Sequence, residues 1–124
     1  MLTTLDKAAL KYFLKTSKDL IKRRKRIIVP RDYMINGKII NYKQAIIDIG
    51  IVRRDDIWNY VLDLKESECI DVSEEHDHKR DFNSEMFEFI KNINGKDVYI
   101  KLTLRTSRNN DILVCLSFHE SNRN

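Results

Sequence analysis

Tyr99, Lys101 and Arg105 fall on alternate positions of one stretch of the chain, and Cys115, Ser117 and His119 on alternate positions of the next. In extended backbone, alternate side chains point to the same side, so each set shares a sheet face if both stretches are strands. With Glu88 they would gather a phenol, cations, an imidazole and a carboxylate. Such groups can grip a phosphodiester and move its protons without a metal. The plainer reading is a wet sheet face, common in antiparallel sheets. On that reading Glu88 and Lys101 form a cross-strand pair contributing about 0–1 kcal/mol.

The elements that must hold these residues are written into Met86 to Glu120. Asn94 and Gly95 tolerate the two positive φ angles of a tight hairpin turn, and a two-residue turn fixes the register. Ile93 then opposes Lys96, Phe89 opposes Ile100, Phe87 opposes Leu102 and Glu88 opposes Lys101. After the polar turn from Ser107 to Asp111, the row Ile112, Val114, Leu116 and Phe118 is expected to join the same buried face. That leaves Tyr99 beside Ser117 or His119, and Lys101 beside Cys115 or Ser117. Cys115 reads as a small, partly buried residue.

Upstream, an apolar stripe through Leu5, Ala9, Tyr12, Phe13, Leu20 and Ile21 predicts a first helix from Leu5 to Arg24, capped by Thr3 or Thr4. A second helix is expected over Asn41 to Ile49, ended by Gly50, and a third over Asp56 to Leu64, with Trp58 near the border of its apolar stripe and read as core rather than ligand platform. Ile27 to Val29 reads as a short strand closed by Pro30, and Gly37 as an interruption. Glu68 to Val72 reads as a further strand, and Ser73 to Asp81 as a polar loop. Helices with one apolar side and a sheet with one apolar face predict a single α+β two-layer domain over residues 1–124.

His76 and His78, with Glu74, Glu75, Asp77 and Asp81, supply metal-ligand atoms. Histidines two residues apart on a loop have no recognised ligand spacing, so no metal site is expected. Nor is any cofactor, since no glycine-rich phosphate loop is present. The chain carries 42% apolar residues and a net charge of +4, with a pI near 9.1. The basic run Lys22 to Arg26 points to a polyanionic partner or to a helix end complementing its dipole. No apolar run is long enough to span a bilayer, and the first ten residues lack a signal-peptide core. A cytoplasmic location with Cys69 and Cys115 reduced is therefore expected.

GKDVYIKL at 95–102, followed by VCLSFHE at 114–120, resembles the C-terminal signature of MqsR-type toxins, the motility quorum-sensing regulator family. RIIVPRD at 26–32, IGI at 49–51 and the segment 56–64 follow that family's order, so the resemblance covers nearly the whole chain. It implies a RelE-like fold, with N-terminal helices laid against a curved antiparallel sheet. It also implies an mRNA interferase: a metal-independent endoribonuclease that cuts RNA through 2′-hydroxyl attack. The implied partners are mRNA and a cognate antitoxin protein, in a toxin–antitoxin hetero-oligomer. The family's sheet tyrosine and the lysine two residues later match Tyr99 and Lys101, and His119 replaces its cation after Ser117 and Phe118. On this basis His119 is expected as general acid or base, Tyr99 as proton donor or phosphate ligand, and Lys101 and Arg105 as charge stabilisers. His78, Lys79 and Arg80, on the charged loop, are expected substrate contacts. The family's amide-bearing residue before the hairpin has no counterpart among Met86, Phe87 and Glu88. Two other functions suit the same residues: a non-catalytic nucleic-acid-binding module and a protein-docking surface.

Overall fold

The computed structural model describes residues 2–77, 82–108 and 110–121. Helix α1, Thr4–Lys22, starts with a reciprocal cap: Asp6 N–H donates to Thr3 Oγ1 and Thr3 N–H donates to Asp6 Oδ2, both at 3.0 Å. Two of the orphan donors of a helix start are thereby satisfied. The helix ends where Arg24 turns left-handed at φ 59°. Lys25 N–H then reaches back to the Leu20 carbonyl at 2.8 Å, a closure usually reserved for glycine.

A five-stranded sheet follows, ordered β1-β7-β6-β5-β4. Its strands are β1, Arg26–Ile28; β4, Cys69–Asp77; β5, Phe82–Ile93; β6, Lys96–Ser107; and β7, Asn110–Glu120. The expected register across β5 and β6 is present pair for pair, from Ile93 opposite Lys96 to Phe87 opposite Leu102. Asn94 and Gly95 turn the chain with φ of 53° and 82°. Strand β1 lies parallel to β7, so the sheet is mixed rather than wholly antiparallel.

Helices α1, α2 (Tyr42–Asp48) and α3 (Ile57–Leu62) cover one face of this sheet. Leu10, Phe13, Leu20, Ile46, Ile57, Trp58 and Val61 meet Phe87, Phe89, Ile100, Leu102, Leu113, Cys115 and Phe118 there. Asn41 caps α2 through its side chain, and Gly50 follows the helix at φ 95°. A 3-10 turn, Arg54–Asp56, precedes α3, and Asp56 makes no cap hydrogen bond.

Three expectations are corrected. Ser73 to Asp77 is not loop but the second half of β4, paired with β5 as far as Asp77 opposite Phe82. The stretch around Gly37 is a hairpin of β2, Asp32–Ile35, and β3, Lys38–Asn41. Asn36 and Gly37 at its tip have φ of 51° and 78°, the same turn chemistry as Asn94 and Gly95. Third, Ile112, Val114, Leu116 and Phe118 do not share a face. The register slips by one residue between Lys101 and Leu102, leaving Leu116 unpaired on β7 as a bulge. Before the bulge Leu113 and Cys115 enter the helical core, and after it Phe118 does. Val114 and Leu116 pack on the other side with Met86. Cys115 is therefore fully buried, not partly, and burial pushes its thiol up to about 12.

Candidate active site on the sheet face opposite the helices

The bulge puts the chemistry together. Because Leu116 adds a residue, Ser117 and His119 return to the sheet face opposite the helices. There they oppose Lys101 and Tyr99. Reading across the strands, one row runs Asp71, Glu88, Lys101, Ser117, and the next places Ile90, Tyr99 and His119 side by side. Tyr99, Lys101 and His119 thus share one surface, as the alternation predicts. Each of the three remains partly exposed.

His119 lies between two tyrosines. Its ring centroid is 5.3 Å from that of Tyr99 and 4.6 Å from that of Tyr33. Nδ1 is 2.8 Å from the Glu120 carbonyl oxygen. A carbonyl only accepts, so Nδ1 carries the proton and the lone pair of the neutral ring sits on Nε2. Burial lowers the pKa of His119 below the ordinary 6.5; the Glu120 carbonyl opposes the shift and Arg31 adds to it. The imidazole is held neutral with its basic nitrogen assigned.

Tyr99 is the converse case. Its hydroxyl donates to Glu88 Oε1, and burial first, then the Glu88 carboxylate, raise its pKa well above 10. It keeps its proton and releases it only to a strong base. Glu88, although opposite Lys101 in register, turns its carboxylate to Tyr99. The plain surface Glu–Lys pair does not describe it.

Tyr33 was not expected here. It comes from β2 and reaches the outer edge of β7, which β1 leaves uncovered beyond Cys115. Phe118 N–H donates to the Tyr33 hydroxyl at 3.3 Å, replacing the missing ladder bond. Burial, ahead of its neighbours' charges, pushes Tyr33 up to about 12. The Arg31 guanidinium stands 5.8 Å from the Tyr33 ring and acts electrostatically on both His119 and Tyr99. The signal for this part of the site was the Asn36-Gly37 dipeptide, which marks a hairpin as strongly as Asn94-Gly95 does.

Other expected site residues fall elsewhere. Arg105 is six residues beyond Tyr99 on β6, about 20 Å at strand rise, and buried Thr103 and Val114 occupy the row between. It stands apart from the His119 group. His78, Lys79 and Arg80 lie outside the described residues. In the basic run, Arg26 is committed to the fold: it donates to Asp55 at 3.1 Å and lies 5.7 Å from the Trp58 ring.

Among the described residues no cluster of three metal-ligating side chains occurs, and no helix is long and apolar enough to cross a membrane. No family model, curated protein or solved structure matches the chain.

Proposed function

We propose that this chain is a RelE-like endoribonuclease of the mRNA interferase kind, cutting RNA by attack of a ribose 2′-hydroxyl on the adjacent phosphodiester. The observation that carries the reading is the assigned tautomer of His119: a neutral ring, proton on Nδ1, lone pair on Nε2, beside Tyr99. In the reaction His119 Nε2 takes the proton of the 2′-hydroxyl as its oxygen bonds to phosphorus. Lys101 and Arg31 offset the charge that gathers on the non-bridging oxygens. Tyr99 protonates the departing 5′-oxygen. A phenol of raised pKa is suited to that step, because an alkoxide is basic enough to claim its proton. The products are a 2′,3′-cyclic phosphate and a free 5′-hydroxyl. Asp71 and Glu88 bias the phosphate towards the His119 and Lys101 side of the face.

In the same reading the protein is a cytoplasmic toxin, and a cognate antitoxin silences it by covering this face. The test is incubation of the purified chain with RNA in EDTA. Cleavage leaving cyclic phosphate ends, lost in His119→Ala with the fold retained, supports the assignment. Intact RNA at all enzyme concentrations refutes it.

A further inference from the structure

We propose that the outer side of α1 is a second contact for the phosphodiester backbone of RNA, distinct from the face that holds His119. Lys7, Lys11, Lys15, Lys18 and Lys22 follow one another at steps of three or four residues. At 3.6 residues per turn they fall within about 80° of one another around the axis, along about 22 Å of helix. All five are exposed. Among the described residues none has an ion-pair partner, for Asp6 is engaged in the cap and Asp19 pairs with Arg23 at 3.3 Å. Like charges four residues apart destabilise a helix. The stripe therefore works against α1 itself, and a polyanion laid along it relieves the strain.

A groove beside the stripe extends the charge. Lys11, Lys15 and Lys18 line it from α1, with Lys65 opposite, Leu14 and Leu64 between them and Glu66 the one acid among its residues. A lipid surface would require an apolar row to insert, but α1 buries Leu10, Phe13, Leu20 and Ile21 in the core and exposes as large apolar side chains only Leu5 and Tyr12, about 100° or more around the axis from the centre of the stripe. A nucleic-acid backbone requires only the cations. That the nucleic acid is RNA rests on the proposed ribonuclease activity; the electrostatic contact does not. Because α1 covers the sheet face opposite His119, nucleotides on the stripe are not the ones being cut. The stripe holds flanking or base-paired RNA.

The experiment measures binding of the full chain to a 2′-O-methylated RNA hairpin, which cannot be cleaved, across a series of salt concentrations. A triple variant, Lys11→Gln, Lys15→Gln, Lys18→Gln, is expected to lower the slope of log affinity against log salt by roughly 2 to 3. It should weaken binding at least tenfold at low salt, whereas the Lys→Arg triple retains both. Circular dichroism checks that α1 is intact. An unchanged slope in the glutamine triple overturns the proposal. So does binding to phosphatidylserine vesicles with none to the hairpin. Lysine-dependent hairpin binding by a chain that cuts no RNA would leave this contact standing and remove the nuclease reading alone.

Discussion

His119 and Tyr99 face each other directly across β6 and β7, their rings 5.3 Å apart and tilted by 39°. One is a base held neutral, the other an acid held protonated. Burial is the first cause in both, so a single half-sheltered patch sets both states. His119→Gln, which keeps a polar side chain of similar reach, is expected to reduce cleavage of a defined oligonucleotide by roughly 100-fold or more. Thermal unfolding should stay cooperative.

The same shift has a signature in pH. Burial favours neutral His119, so the folded chain binds its proton only below the ordinary 6.5, while the unfolded chain already binds it there. Unfolded protein then carries more protons, and stability rises with pH across that window. The contribution is complete above about pH 6.5 and is lost as pH falls towards the folded value. Tm measured against pH should show this decline in the wild type and a smaller one in His119→Gln. Cleavage should persist below pH 6.5 and fail on further acidification.

Tyr99 should ionise well above the ordinary tyrosine range, and the Glu88 carboxylate is part of the reason. In Glu88→Gln the pKa is expected to move down without reaching 10, because burial remains the larger cause. Ultraviolet difference titration of each protein against its Tyr99→Phe counterpart isolates this one phenol. A Glu88→Gln curve superimposed on the wild type would contradict the hydrogen bond.

Tyr33 supplies the acceptor for Phe118 N–H at the point where β1 stops. Tyr33→Phe keeps the ring against His119 but leaves a buried donor unmet, which costs about 1–3 kcal/mol. Denaturant titration should show that loss in the midpoint. Amide exchange should quicken at Phe118 and not at Ile100, whose ladder is intact.

Much of this arrangement was legible in the sequence because a two-residue turn transmits register without error. Asn94 and Gly95 fixed every pair from Ile93 to Met86, and so placed Glu88, Tyr99 and Lys101. The third strand was not so legible. Alternation read back from Phe118 assigns Val114 and Ile112 to the helical core, and nothing in VCLSFHE announces an extra residue. Bulges relieve twist set by the whole sheet, which local pattern does not carry. The strand character of Ser73 to Asp77 was hidden for a related reason: an edge strand needs no apolar row on its outer half, so its polar sequence reads as loop. Arg31 and Tyr33 were missed because their hairpin was read as an interruption at Gly37. The bounds of the helices were read to within a few residues, but Leu5 and Tyr12, read on the apolar stripe of α1, are exposed.

Leu116 takes no part in the proposed proton transfers, yet it decides which way His119 looks. A strand is a two-state code of in and out, and one supernumerary letter inverts everything downstream of it. Were Leu116 paired with Lys101 instead, with no bulge in β7, Phe118 and His119 would exchange places. The imidazole would turn in beneath the helices and a phenyl ring would stand beside Tyr99. The parity of the candidate site is thus set by a residue that has no partner across the ladder.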